Sequence, residues 1–298
     1  MDVYIIQVFS HQDVPSWVSF LNHNRLERRK ELPITLMVDF ENTYEMLPYH
    51  IVSLACLIEE YHINGVKIVF LSTDKREVQN LRELDFFQYW TAGFNRRKYR
   101  VCEDGTSYCL WQVDKEMFLS YVDHAHGYFQ RQFFRGRDLI PFNKSLVELF
   151  NNVIDHSQSK VSAYVTTKYF PNRGKFIISL CDFGLGIPGT VNEYLLKNNM
   201  LMMDDLDAMD LAFQEKFTVQ SVPNNGGLGL DYVLTITKAL KGELVVFSNY
   251  AHVNFSQMTG GDFIRKQLPE SFQGTLVVVT INTQDLNLLI PDEHNVFH

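Results

Sequence analysis

Along the first ninety residues the apolar positions fall in short blocks whose period alternates. Val3–Val8 is an apolar run of strand length, Trp17–Leu26 has the spacing of a short helix, and Ile34–Phe40 (ITLMVDF) is apolar and β-prone. Leu47–Tyr61 then places Ile51, Leu54, Ala55, Ile58 and Tyr61 on or near one helical face. Val66–Leu71 (VKIVFL) reads as another buried strand, and Glu77–Phe87 as a further helix. Strands separated by helices predict a parallel sheet covered by helices, so residues 1–90 are expected to form one α/β domain.

The pattern changes after residue 90. Residues 91–114 predict a connecting β-hairpin with Asp104-Gly105 at its tip, and 115–135 an aromatic-rich helix carrying Phe118, Tyr121, Tyr128, Phe129 and Phe133. These make a connecting unit, 91–137. A second α/β domain is expected over 138–298. Within it, Lys144–His156 has a helical stripe of Leu146, Leu149, Phe150, Val153 and Ile154. Phe176–Cys181 (FIISLC) is a continuous apolar strand, 188–225 is polar and acidic with a helix expected at 204–217, and Tyr232–Leu240 is an apolar helix.

Composition narrows the function. A chain of 298 residues accommodates two domains, and 46% hydrophobic against 21% charged residues is enough to bury a core. A net charge of -8 argues against a dedicated duplex-binding protein, so no nucleic acid is expected. The local run Asn95–Arg100 (NRRKYR) reads as a solvated strand edge. Met1-Asp2-Val3 lacks the basic start of a signal peptide, and no apolar run approaches the roughly 18–20 residues of a membrane span, so a cytoplasmic protein is expected. Cys56, Cys102, Cys109 and Cys181 fit neither a zinc pattern nor CxxC and read as reduced thiols. Cys102 and Cys109 flank the Asp104-Gly105 turn and could face one another across it. His124 and His126, two apart on a helix, diverge and make a poor metal pair.

The candidate chemistry lies between residues 148 and 275. Glu148 and Asn152 are four apart and share a helix face. An amide oxygen is a hard, neutral ligand for magnesium, and a carboxylate one turn away can accept a proton from water or a hydroxyl. His156 closes the same helix, either as a charge at its C-terminus or as a ligand contact. Asp182 ends the apolar strand and is followed by Gly184, Gly186 and Ile187. A dinucleotide fingerprint would need a third glycine at the right spacing, and a protein kinase would need His-Arg-Asp before its Asp-Phe-Gly; neither is present. Pro223–Leu230 (PNNGGLGL) then opens a helix, where free amides and the positive dipole end suit phosphate.

Glu148…Asn152, Asp182-Phe-Gly184-Leu-Gly186-Ile187 and Gly226-Gly227-Leu228-Gly229-Leu230, in this order, resemble the nucleotide site of the gyrase, chaperone, histidine-kinase and MutL superfamily of ATPases. The resemblance covers about residues 138–282. It implies an α/β sandwich of Bergerat type that binds ATP and magnesium. Asn152 would hold the metal, Glu148 would be the general base, and His156 would lie near the phosphates or ribose. Asp182 would accept a hydrogen bond from the adenine amino group, with Gly184 and Gly186 passing close to base and sugar at positive φ. Asn225 stands where the superfamily has its first lid glycine, and tolerates positive φ. The implied lid spans 188–225, with Phe213 and Phe217-Thr218 before the second glycine box. Lys241–Ser248 and Gly274–Ile281 would be the last strands, with the Gly274-Thr275 pair facing the nucleotide.

Residues 34–90 resemble, in pattern, the STAS domains of anti-sigma-factor antagonists: a strand, Asp39, a turn, a helix, Gly65, a second strand and a helix. Where those proteins carry a phosphorylatable serine, this chain reads Asn42-Thr43-Tyr44-Glu45-Met46. The expectation is a magnesium–ATP binding signalling protein with ATPase or serine/threonine kinase activity regulated by its STAS-like half. The alternative is a non-catalytic, ATP-gated interaction switch. A protein partner or substrate is expected, and a homodimer is left open.

Overall fold

The computed structural model describes residues 2–9, 13–44, 46–156, 158–214, 229–256, 261 and 263–288; the side chains of Asp155 and His156 lie outside this set. The described residues form a mixed α/β protein with two sheets. Strands β1 (Val3–Gln7), β2 (Thr35–Asp39) and β3 (Lys67–Leu71) form a parallel sheet in that order. Strands β4 (Ser107–Gln112), β5 (Tyr164–Phe170), β6 (Lys175–Asp182), β7 (Glu243–Ser256) and β8 (Phe263–Asn282) form an antiparallel sheet ordered β4-β5-β6-β8-β7.

Helices α1 (Val14–Asn24) and α2 (Pro48–His62) lie between the two sheets. Every residue of α2 from His50 to Tyr61 is buried. A helix buried on all sides needs cover on all sides, and α2 obtains it from β3 on one flank and from β5, β6 and β8 on the other. Leu54, Leu57 and Ile58 are fully buried, each contributing about 2 kcal/mol of apolar burial. One apolar cluster consequently joins Val38, Phe40 and Leu54 of the parallel half to Cys181, Phe247 and Leu276 of the antiparallel sheet.

Side chains alternate along β6 and β8, so Ile178, Leu180, Val277 and Val279 point to the opposite face. There they meet α4 (Phe118–Gln132), α5 (Ile140–His156) and α8 (Gly229–Ala239) in a second cluster. The molecule thus has four layers: parallel sheet, helices, antiparallel sheet, helices. Helices α6 (Gly186–Lys197) and α7 (Asp205–Ala212) pack with Leu230 in a small third cluster. Among the described residues no helix is long and apolar enough to cross a membrane.

Several sequence expectations need correction. The hairpin over 91–114 reduces to β4, because its first limb contributes a single bridge, Val101 to Tyr108. That limb is tied down by side chains: Arg96 reaches Glu59, Arg97 pairs with Asp114 and Glu116, and Arg100 pairs with Asp85. The basic run is therefore ion-paired within the molecule rather than merely solvated. The helix expected over 77–87 is cut to α3 (Gln79–Glu83) between 3-10 turns, and Asp85 takes a left-handed φ of 61°. The helix expected at 204–217 is α7, ending at Ala212, and the start of the supposed lid is itself the helix α6. Strand β5 had no counterpart in the sequence reading.

All four cysteines are free and buried. Burial pushes the Cys109 thiol up to about 11 and the Cys102 thiol still higher. Glu45 lies outside the described residues; the Thr43 hydroxyl is buried and donates to the Val8 carbonyl at 2.7 Å, which leaves it no access to a kinase.

Candidate functional site

Asp182 closes β6 on the face that carries α5 and α8. In register beside it is Thr275 of β8, and beside Thr275 is Ser248 of β7. Strand alternation turns all three to the same side, so they form one polar row where β6 ends, while β7 and β8 run on beyond it. Asp182 is 3% exposed, and its Oδ1 accepts the Gly184 amide at 2.8 Å. Burial raises its carboxyl to about 7, and the Gly184 hydrogen bond pulls the other way.

Ser248 ties the row together. Its Oγ donates to the Gly274 carbonyl at 2.7 Å and accepts the Ile187 amide at 2.8 Å, with Thr275 Oγ1 3.3 Å away. The start of α6 is thereby fastened to the middle of β7. Gly186 has φ +76°, and a Cβ there would lie 1.9 Å from Asn249 Oδ1. Positive φ was expected at both glycines of this turn; Gly186 has it and Gly184 does not. Gly274, at φ +111°, lies against the Asp182 carbonyl, where a Cβ would come within 2.1 Å.

Helix α5 supplies the second wall. Its apolar stripe is buried in the second cluster, and this turns Glu148, with Asn152 one turn on, toward α8. Glu148 is 7% exposed, and its Oε1 accepts the Gly229 amide at 2.9 Å. Gly229 is the first residue of α8 and has φ +76°. A carboxylate thus sits at the positive end of α8, where orphan amides attract anions. Leu230 is buried in the third cluster.

Asn152 tests the fit of a magnesium ion. Its Nδ2 is buried with no hydrogen-bond partner among the described residues. Its amide is therefore not held by a hydrogen bond through that nitrogen, and its oxygen is the neutral donor type that a hard cation takes. No cluster of three or more His, Cys, Asp or Glu suited to a metal exists among the described residues, so a cation here would need oxygens from its ligand as well.

The structure therefore brings Asp182, Gly184, Gly186, Ile187 and Thr275 together where β6 ends, and Glu148, Gly229 and Leu230 at the α5–α8 junction. Gly226, Gly227, Leu228, Asn225, Phe217 and Thr218 lie outside the described residues, as does the His156 side chain. His124 is not paired with His126; its Nδ1 lies 2.6 Å from the Tyr99 hydroxyl. The sequence reading had no role for Ser248 or Asn249. The end of the apolar run Leu244–Ser248 pointed to the first; a bulge in β7 places the second, and nothing local signals it. No protein-family model and no curated protein matches the chain.

Proposed function

We propose that this chain is a cytoplasmic magnesium–ATP binding signalling protein of the gyrase, chaperone, histidine-kinase and MutL type. In this reading the antiparallel sheet with α5, α6 and α8 is a Bergerat-type nucleotide domain, and the parallel half is STAS-like. The observation that carries it is a juxtaposition. A buried, nearly solvent-free carboxylate, Asp182, sits beside Thr275 and the Gly186 turn, while α5 holds Glu148 against the amino end of α8. A buried carboxyl accepting one amide bond retains acceptor capacity for an exocyclic amine such as the adenine amino group.

Glu148 is the residue placed to take a proton, and Asn152 the one to hold magnesium through its amide oxygen. Bound magnesium would offset phosphate charge. ATPase or serine/threonine kinase activity follows if Glu148 reaches a nucleophile. The bond from Gly229 to Glu148 favours a second reading, in which the carboxylate latches α8 and ATP acts as a non-catalytic gate on a protein partner.

The test is calorimetric titration of the protein with ATP and magnesium, alongside Asp182→Ala. Micromolar-range binding that the variant loses supports the nucleotide pocket; failure of the wild type to bind overturns it. Single-turnover assays of Glu148→Ala then separate catalysis from gating.

A further inference from the structure

The back of the candidate adenine turn is held by the parallel half of the molecule. Asp182 and Phe183 are consecutive, so their side chains leave the strand on opposite faces. The carboxyl faces the site, whereas the Phe183 ring enters the cluster shared with α1 and α2. There the Arg25 guanidinium lies over the ring, 4.1 Å from its centroid. Arg25 follows α1 directly and is 5% exposed. Its Nε and Nη2 grip Glu60 of α2 at 2.9–3.0 Å, and Glu60 also accepts the Leu26 amide at 3.0 Å. The Phe272 ring packs edge-on against Phe183, and Gly274 closes the remaining side against its Cα. One residue before Asp182, the Cys56 thiol of α2 donates to the Cys181 carbonyl at 3.2 Å.

We propose that Arg25 is a positioning residue for the Asp182-Phe183-Gly184 turn, and that the Arg25–Glu60 pair is the element through which the parallel half sets nucleotide selectivity. This rests on the nucleotide reading above. A desolvated guanidinium over an aromatic face, itself fixed by a two-pronged carboxylate, leaves the ring little freedom. Fixing the ring fixes the side chain just before it, Asp182, whose carboxyl must meet the base edge. A ligand or partner that shifts α1 against α2 would then be felt at the base without touching it.

Two variants test this. Arg25→Met with Glu60→Leu removes both charges, so no lone buried ion is left to unfold the protein. Phe183→Leu removes the ring and keeps the pair. Amide exchange is followed without nucleotide, and ATP and GTP affinities are measured with magnesium. In both variants exchange at Gly184 and Ile187 should rise about tenfold while 51–61 keep their protection, and the ATP-over-GTP preference should fall about tenfold. Exchange rising equally throughout the chain, or a selectivity ratio that stays put in a folded variant, overturns the inference. If the wild type takes neither nucleotide, the ATP reading fails by itself, and the exchange measurement alone decides whether Arg25 positions the turn.

Discussion

Burial lifts the Asp182 carboxyl to about 7, against the pull of the Gly184 amide. A carboxyl raised in the folded state binds its proton there more tightly than in the unfolded chain. Its contribution to stability is present below the ordinary carboxylate range near about 4 and is lost as pH rises through about 7. Asp182→Asn should therefore remove a fall in melting temperature between pH 5 and 8 that the nucleotide-free wild type displays; equal pH slopes in the two proteins would contradict this. The residue was legible because an apolar strand ending in Asp-x-Gly-x-Gly is a local signal. Its partners Ser248 and Thr275 come from strands sixty and more residues away, joined through sheet register.

Among the elements, β8 carries a backbone constraint on two sides at Gly274. Gly274 combines φ +111° with an approach to the Asp182 carbonyl and the Phe183 Cα that a methyl group would close to 2.1 and 2.7 Å. Backbone on both sides cannot swing away as a side chain can. Gly274→Ala should cost ~3 kcal/mol or more in urea unfolding, whereas Gly65→Ala, at φ +81° in open space, should cost only about 1 kcal/mol. Strand β5 escaped notice for a related reason. Its sequence YVTTKYF mixes Thr and Lys into the apolar positions, and its burial comes from neighbours, with β4 and β6 flanking it and Thr166 and Thr167 both enclosed. The limb before β4 misled in the opposite sense. Turn chemistry at Asp104-Gly105 suggested a full hairpin, but Arg96, Arg97 and Arg100 spend that segment on distant carboxylates.

At the scale of the molecule, the two halves share one core. Glu59 of α2 is 1% exposed and accepts from Trp90 Nε1 at 2.7 Å, the Tyr164 hydroxyl at 2.8 Å and Arg96 Nη1 at 2.9 Å. It bonds across from the parallel half to β5. With α1 and α2 enclosed by both sheets, the protein should unfold in one step. Denaturation followed by far-ultraviolet circular dichroism and by tryptophan fluorescence, from Trp17 and Trp90 in one half and Trp111 in the other, should give coincident curves; two separated transitions would refute this. The sequence by itself determined the alternation of strands and helices in the first ninety residues, the face shared by Glu148 and Asn152, and the strand that ends at Asp182. Those features depend on periods of two and 3.6 between neighbours along the chain. Only the tertiary structure decided that α2 lies between two sheets, that Arg25 rests on Phe183, and that Gly229 caps onto Glu148. The apolar spacing of α2 states that a face must be covered, and carries no information about which surface covers it or that Glu59 and Glu60 are buried on the other sides.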